Sequence, residues 1–297
     1  MARIGQLDFN HWVADRKGER AGGEDGGEHA YAYALDRQTR VAFDTARPVQ
    51  LATEAAVRAF KAFGKNELLG QAVRIGPRQF PRVHALVASC SESLGIALPT
   101  VYVVNNPVLN AGTLGTNDDS FILIHSALVD HMSDLELKSV IGHECGHIHN
   151  SHVVYLTTLD YLTKMAGVFL SWVVTPAIVA LRAWSRRAEI TSDRAALLCV
   201  GDPAVVTRSL AKLALGSQKL YEQLDLEVFL EQHAESREGP GRLSELFASH
   251  PWVPKRVLAL RVFEQSRLFR KRAGLGDDGL SMKEVDDKVQ DILKVVT

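Results

Sequence analysis

The feature that most constrains this 297-residue chain is the run His143-Glu144-Cys145-Gly146-His147. Residues four apart on an α-helix lie on the same face about one turn apart, so both histidines can direct a ring nitrogen at one tetrahedral metal ion. Ser133 followed by Glu136 has the spacing of a capping box, and apolar residues then recur as far as Ile148. The sequence therefore predicts a long helix that carries a metal site.

Glu144 lies between the two histidines. It is too close in sequence to His143 to be a ligand of the same ion, but it is well placed to hydrogen-bond a water on that ion. Zinc lowers the pKa of its water to about 7, so a carboxylate can take the proton and later pass it to a departing amine. The motif predicts one catalytic Zn²⁺ and peptide hydrolysis with Glu144 as the base. The opposing interpretation is an accidental match in a helical interaction protein, which would bind no zinc.

A catalytic zinc ion needs a third protein ligand and one open position. The candidates are His149, His152, Glu189, Asp193 and His250. A three-histidine signature would need glycine and histidine where this chain has Asn150 and Val153, and His152 is out of that register. Glu189 and Asp193 are four apart on a predicted helix, so one could bind metal while the other orients a ligand histidine. Such a pair is also common on a solvated helix face.

The rest of the pattern predicts helices and one small sheet. Helical spacing of apolar residues is found at 53–63, 80–94, 182–200, 204–215 and 254–268. β-branched and aromatic runs at 100–104 and 120–124 indicate strands. The two glycines between Asn110 and Gly115 favour an edge strand or a rim loop. We therefore expect a mostly helical α+β fold.

Residues 165–181 contain no charged side chain over 17 positions, which is the lower limit for a helix that crosses a bilayer. A single crossing would place His147 and Glu189 on opposite sides of a membrane, where they could not share an ion. The stretch is also too short for two crossings at about 1.5 Å per residue. We expect an apolar hairpin, broken at Pro176, that is buried, forms an oligomer interface or touches a membrane surface.

Composition limits the partners and the compartment. A formal net charge of -1 gives no bulk attraction toward nucleic acid. Three widely spaced cysteines form no C-x-x-C pair, and the first 20 residues lack the apolar core of a secretory signal peptide. We therefore expect a cytoplasmic protein, peripheral to a membrane if residues 165–181 contact one.

Several short segments between Pro81 and Leu260 occur in a distinctive order. They are Pro99 to Val103, Asn110-Ala111, Asp134 to Leu137 ahead of the histidine motif, Arg186 with Glu189 and Asp193, and His250-Pro251 with Arg256. Together they resemble the HtpX and prenyl-protein-endopeptidase family of zinc metallopeptidases, which is of the glutamate-zincin type. The resemblance implies a zincin-like catalytic domain that hydrolyses extended or unfolded polypeptide with a zinc-activated water.

The resemblance also implies roles for individual residues. His143, His147 and Glu189 would bind the zinc ion, Glu144 would be the catalytic base, and Asp193 would support the ligand histidines.

Further roles are implied around this centre. Arg186 would pair with a carboxylate of the site unless, like most arginines next to another arginine on a helix, it is solvated. His250 would act as a transition-state donor or a displaceable extra ligand unless it is a structural surface residue. Asn110 and Ala111 would align an extended substrate as an added strand, although Gly112 stands where the family has a bulkier residue.

Three segments are expected along the chain. Residues 1–47 form a partly disordered N-terminal arm, because residues 18–28 are rich in Gly and Glu and have almost nothing to bury. Residues 48–270 form the catalytic domain, and residues 271–297 form a linker and a short helix. The arm motivates a second hypothesis, in which the zinc is structural or the arm closes the cleft, so that the protein is a silent or autoinhibited binding protein.

Overall fold

The computed structural model describes residues 29–60, 70–165, 171–236 and 252–294. Its helices are α1 (Ala34–Phe43), α2 (Arg47–Ala59), α3 (Pro81–Leu94), α4 (Ser126–His131), α5 (Asp134–His149), α6 (Val153–Met165), α7 (Ser171–Val200), α8 (Pro203–Leu215), α9 (Gln218–Tyr221), α10 (Leu226–Ser236), α11 (Val253–Phe263), α12 (Arg267–Arg272) and α13 (Met282–Leu293). Its strands are β1 (Ala72–Arg74), β2 (Thr100–Val104), β3 (Ala111–Gly115) and β4 (Ser120–His125). The mostly helical α+β fold is confirmed.

The sheet has the strand order β1-β2-β4-β3, so β3 lies at one edge. β2 and β4 are parallel, whereas β1 is antiparallel to β2 and β3 is antiparallel to β4. The reversal between β3 and β4 requires Gly115, whose φ is 122° and where a Cβ atom would collide with the carbonyl oxygen of Asp119. The edge strand predicted from the glycine-rich segment is confirmed.

α5 carries the histidine motif and begins as the sequence predicts. Ser133 N donates to Glu136 Oε2 at 2.8 Å, and Glu136 N donates to Ser133 Oγ at 3.4 Å, which completes a capping box. Burial raises the pKa of Glu136, but the hydrogen bonds from Lys212 and Ser133 outweigh it and lower the pKa. Because Lys212 lies on α8, this ion pair also fixes the beginning of α5 against α8.

α5 and α7 cross at two glycines that lie one turn apart on α5. A Cβ atom on Gly146 would lie 2.7 Å from the Cβ atom of Ala195, and one on Gly142 would lie 3.0 Å from the Cβ atom of Cys199. The contact at Gly146 is closer than carbon atoms tolerate and the one at Gly142 is at the tight limit, so the absence of side chains at these positions allows the two helices to approach this closely. This close crossing brings the histidine motif next to α7.

The predicted break at Pro176 is wrong. α7 is one helix of 30 residues, and Pro176 lies inside it. An internal proline costs one hydrogen bond and about 3 kcal/mol, and the burial of the next turns, including Leu181 and Trp184, offsets this cost. α6 and α7 pack against each other. Among the described residues, no helix is both long and apolar enough to cross a bilayer.

The single helix predicted at 254–268 is two helices, α11 and α12. The chain turns at Ser266, whose Oγ accepts a hydrogen bond from Phe269 N at 3.0 Å and so caps α12. Arg267 N donates to Leu280 O at 2.8 Å, which joins the turn to the segment before α13. A local cap and a long-range backbone bond therefore override the continuous helical pattern.

Both ends of the described chain belong to the core. Tyr31 and Tyr33, before α1, are buried in the same apolar cluster as the residues of α5 and α7. Val285 and Val289 of α13 are fully buried in that cluster as well. The part of the predicted N-terminal arm from residue 29 onward is thus packed structure, whereas residues 1–28 lie outside the described residues.

Candidate active site

Three side chains with metal-binding atoms meet where α5 crosses α7. His143 Nε2 lies 3.1 Å from His147 Nε2. The carboxylate oxygens of Glu189 lie 3.4 Å from the Nε2 atom of His143 and 3.5 Å from that of His147. Among the described residues, this is the group whose donor atoms converge within 4.8 Å of one another.

These distances fit a zinc ion. Two ligand atoms held at about 2.0–2.1 Å from zinc and at the tetrahedral angle are about 3.3 Å apart. The two Nε2 atoms are 3.1 Å apart, Glu189 Oε2 lies 3.4 Å from His143 Nε2, and the other oxygen, Oε1, lies 3.5 Å from His147 Nε2. Each of these pairs is close to that value, with a different carboxylate oxygen next to each histidine. Two imidazole nitrogens and one carboxylate oxygen, with one position left open, are a typical donor set of a catalytic zinc ion.

The remaining ring nitrogen of His143 has a charged partner. His143 Nδ1 lies 3.0 Å from Asp193 Oδ1. Arg256 of α11 donates to Asp193 from Nε at 2.7 Å and from Nη2 at 2.5 Å, and its Nη1 lies 3.1 Å from Glu189 Oε2. One arginine therefore spans the carboxylates of Asp193 and Glu189 and fixes both.

The two carboxylates control the charge of His143. Burial alone would lower the pKa of His143, but Glu189 and Asp193 outweigh it and raise the pKa to about 10. Without a metal ion His143 therefore holds a proton at neutral pH, and a bound cation has to displace that proton. Burial alone would raise the pKa of Asp193, but Arg256 lowers it, so Asp193 is ionised.

The remaining ring nitrogen of His147 has a histidine partner. His147 Nδ1 lies 3.0 Å from His152 Nδ1, and His152 Nε2 lies 3.0 Å from Asp36 Oδ2. Asp36 also accepts hydrogen bonds from Trp184 Nε1 at 2.8 Å and from Thr191 Oγ1 at 2.7 Å. Burial lowers the pKa of His152, so its ring is neutral. Burial alone would raise the pKa of Asp36, but its contacts with His152 and Thr191 lower it.

Glu144 faces the edge strand. Thr113 of β3 donates its hydroxyl proton to Glu144 Oε2 at 2.6 Å. Both side chains are buried, with 5% of Thr113 and 7% of Glu144 exposed. The hydrogen bond holds one carboxylate oxygen and leaves the other available to a molecule in the cleft.

The site opens into a cleft of about 410 Å³. Its walls are residues 109–114 along β3, the motif residues of α5, Glu189, Asp193 and Ala196 of α7, and Arg256 of α11. An apolar wall beside the metal-binding group comes mainly from α8, through Val206, Leu210 and Leu213. A cleft with charged groups on one side and aliphatic side chains on the other suits a peptide better than a small polar molecule.

The backbone of β3 presents polar groups at the free edge of the sheet. Gly115 N donates to Thr157 Oγ1 at 3.0 Å, away from β4. Backbone direction alternates along a strand, so Thr113 and Ala111 also point their N–H and C=O groups away from β4. Asn110 is exposed next to this edge, and both it and Ala111 line the cleft.

The described geometry leaves the roles of two predicted residues untested. Arg256 makes ion pairs with Asp193 and Glu189, and Arg186 lies half-buried on α7 three residues before Glu189. His250 lies outside the described residues. The roles proposed for both remain predictions.

Sequence reasoning did not identify Thr113, Asp36 or the orienting role of His152. Nothing in the local pattern marks Asp36, because it lies in a segment interpreted as an arm. His152 carries a weak signal, since a histidine five positions after the motif is close enough to contact His147 although it is out of register as a ligand. Thr113 could have been found from the expected β3 edge, where its side chain faces the motif helix.

A helix with two histidines and a glutamate between them, a glutamate from a second helix and a strand edge along the cleft define the site of a zinc metallopeptidase of the glutamate-zincin type. The family follows from the sequence comparison. The chain belongs to peptidase family M48, whose model matches residues 77–264. Members of this family are zinc-dependent metallopeptidases.

Relatives with assigned names agree with this family. The chain is 38% identical over 170 residues to the plastoglobule-localized metallopeptidase 48 of Arabidopsis thaliana, an alignment covering 56% of this chain and 49% of that protein. It is 26% identical over 229 residues to a protease HtpX homolog of Moorella thermoacetica, covering 65% and 76%. It is 27% identical over 209 residues to protease HtpX of Haemophilus influenzae, covering 59% and 71%.

The chain thus spans about half the length of the Arabidopsis relative and about three quarters of the HtpX proteins. No solved structure shows a significant match to it.

Proposed function

We propose that the protein is a zinc-dependent metalloendopeptidase that hydrolyses peptide bonds of extended or unfolded polypeptide. The observation that carries the proposal is the convergence of His143, His147 and Glu189 at zinc-ligand distances directly beside Glu144 and below the free edge of β3. A purely structural zinc site would not need an open cleft or a carboxylate next to the ion.

His143, His147 and Glu189 are the proposed ligands of one zinc ion. When bound, zinc supplies Lewis-acid chemistry, because it polarises the scissile carbonyl and makes a water molecule acidic. Other residues of the protein fix the positions of these ligands. Asp193 and Arg256 hold His143 and Glu189 in place, so the donor atoms converge before the ion arrives and little reorganisation is needed on binding.

Glu144 is the proposed general base and acid. Its carboxylate takes a proton from the attacking water as the new C–O bond forms at the scissile carbon. It then passes that proton to the departing nitrogen as the C–N bond breaks, so that the products are a carboxylic acid and a free amine. The hydrogen bond from Thr113 keeps the carboxylate in the rotamer in which it can serve both steps.

The edge of β3 is the proposed substrate guide. An extended peptide that pairs with the outward backbone groups of Ala111 and Thr113 becomes an added strand. Its carbonyl groups then pass over Glu144 and the metal-binding group, and its side chains alternate between solvent and the apolar wall of α8. A folded protein cannot present such a strand, which is why we propose unfolded polypeptide as the substrate class.

The experiment that tests this function compares one polypeptide in two states. The zinc-loaded protein is expected to cleave a fluorescently labelled, destabilised polypeptide, to leave a disulfide-locked, folded form of it intact, and to stop when a chelator removes the metal. Restored cleavage on adding zinc back would support the proposal. Stoichiometric zinc without cleavage of any unfolded polypeptide would support a silent binding protein instead.

Thr113→Val tests the hydrogen bond to Glu144. The substitution keeps the shape of the side chain but removes the donor, and it leaves a carboxylate oxygen buried without this partner. We expect kcat to fall about tenfold, the effect of about 1.4 kcal/mol, with KM and zinc content nearly unchanged. Thr113→Ser restores the hydroxyl and should recover most of the rate. A kcat equal to that of the native protein in Thr113→Val would show that this contact does not position the base.

We also propose that the apolar stretch at residues 165–181 makes a peripheral contact with a lipid surface. Residues 165–181 are uncharged, and Pro176 and Val179 are exposed, with 53% of Val179 accessible. The protein is expected to float with phosphatidylcholine vesicles in a density gradient, and Val179→Asp to weaken this. Val228→Asp alters an equally exposed valine of α10 and is the matched control. Equal flotation of all three proteins would contradict a contact through this stretch.

A further inference from the structure

The strongest unassigned feature is a buried chain of polar contacts behind the metal-binding group. It runs from His147 through His152 to Asp36, with two contacts of 3.0 Å. His152 is fully buried, and Asp36 and His147 are 1% and 3% exposed. Asp36 lies in α1, outside the segment that matches the family model.

The direction of the hydrogen bonds in this chain is determined by the metal-binding geometry. His147 Nε2 faces His143 and Glu189, so its lone pair has to point at the ion. The ring proton of His147 is then on Nδ1. Since the two facing Nδ1 atoms cannot both donate, His152 Nδ1 accepts this hydrogen bond, and the proton of the neutral His152 ring is then on Nε2, which lies 3.0 Å from Asp36 Oδ2.

Asp36 is suited to be the last residue in this series of polar contacts because other side chains fix its position. Trp184 donates to one of its oxygens and Thr191 donates to the other, in addition to the contact with His152. A buried carboxylate is stable only with such partners. Removing the charge of Asp36 would change which tautomer of His152 is favoured. His152 Nδ1 would then no longer be a reliable hydrogen-bond acceptor for His147.

We propose that Asp36 and His152 are positioning residues for the ligand His147, so that the segment from residue 29 to the end of α1 completes the metal site. This proposal rests on the zinc site of the proposed function. His143 is oriented directly by a carboxylate, whereas His147 is oriented by a carboxylate acting through a neutral histidine.

A second contact of the same segment supports this role. Tyr31 Oη lies 2.8 Å from His149 Nδ1 and accepts a hydrogen bond from Asn150 Nδ2 at 2.8 Å. His149 and Asn150 are at the end of α5. The segment from residue 29 to the end of α1 therefore contacts the end of α5 through Tyr31, and it approaches His147 through Asp36 and His152. Its described residues do not line the cleft, which contradicts an inhibitory role for this part of the arm.

The test is the zinc affinity of full-length Asp36→Asn and His152→Phe, measured by competition with a chromophoric chelator. Partners of a ligand histidine typically affect metal affinity 10–100-fold, and we expect a loss of about that size in both variants. The visible spectrum of the cobalt-substituted protein should also shift, because the ring of His147 can rotate. Tyr155→Phe is the control, since it removes a hydrogen bond to Asp44 in the neighbouring core without contacting a ligand.

Thr191→Val is a milder variant in case the others do not fold. It removes one donor to Asp36, together with the acceptor of the Tyr33 N–H at 3.1 Å, and should reduce zinc affinity several-fold, while circular dichroism of the metal-free protein stays unchanged. Native zinc affinity in the folded variants would overturn the proposed role of Asp36 and His152. Absence of zinc from the native protein itself would instead overturn the proposed function, so the two failures are distinguishable.

Discussion

Glu144→Gln is expected to abolish measurable peptide hydrolysis while one zinc ion per chain is retained. Glutamine has the shape of glutamate and its carbonyl can still accept the hydrogen bond from Thr113, but it cannot take a proton from water. General acid–base catalysis contributes about 10²–10⁴-fold to rate, and we expect kcat to fall by at least the larger of these factors because Glu144 serves in two proton transfers. Single-turnover cleavage of a labelled unfolded polypeptide gives the rate, and elemental analysis gives the zinc content.

The control is the zinc content of the Glu144→Gln protein itself, measured on the same sample as its activity. A variant that has lost zinc would not test the base, whereas a zinc-loaded variant that is inactive identifies the missing proton transfer. Cleavage by zinc-loaded Glu144→Gln at the native rate would show that another group is the base.

Glu189→Gln is expected to lower zinc affinity by about 100-fold or more. The amide is a poor ligand, and it removes the negative charge that attracts the ion and pairs with Arg256. Loss of an outer partner alone typically costs 10–100-fold in affinity, so loss of a direct ligand should cost at least the upper value. Chelator competition measures the affinity, and activity should be recovered in part at high zinc concentration.

Glu136→Gln is the matched control for this prediction. Glu136 is also a buried, ion-paired glutamate, but it is not among the residues that line the cleft, and it holds the beginning of α5. This variant should lose some stability and keep its native zinc affinity. If Glu189→Gln and Glu136→Gln bound zinc equally well, Glu189 would not be the third ligand.

The geometry also bears on the hypothesis of a closed or silent protein. Within residues 29–47, Tyr31 and Tyr33 belong to the core, Tyr31 contacts the end of α5, and none of these residues lines the cleft. The apolar stretch is also connected to the metal site. α7 continues through Pro176 as one helix, and the same helix carries Glu189.

Local features of the fold and the site could be predicted from the sequence. The capping box at Ser133 and the four-residue spacing of His143 and His147 depend only on helix geometry, which repeats within a few residues. The edge position of β3 follows in the same way from its glycines. These predictions hold because neighbours along the chain determine them.

The contacts that complete the site depend on distant residues. Thr113 meets Glu144 from 31 positions away, and Arg256 meets Asp193 from 63. No periodicity encodes such pairs, and the sequence could rank Glu189 as a ligand only through a family resemblance.

The sequence by itself determined that one helix of this protein carries two histidines able to share a zinc ion, with a glutamate beside them. Only the tertiary structure decided which residues surround that helix. The physical reason is the close crossing at Gly142 and Gly146, where the absence of side chains lets α7 approach. That approach brings Glu189 to the histidines, while His152, which contacts Asp36, lies beside His147.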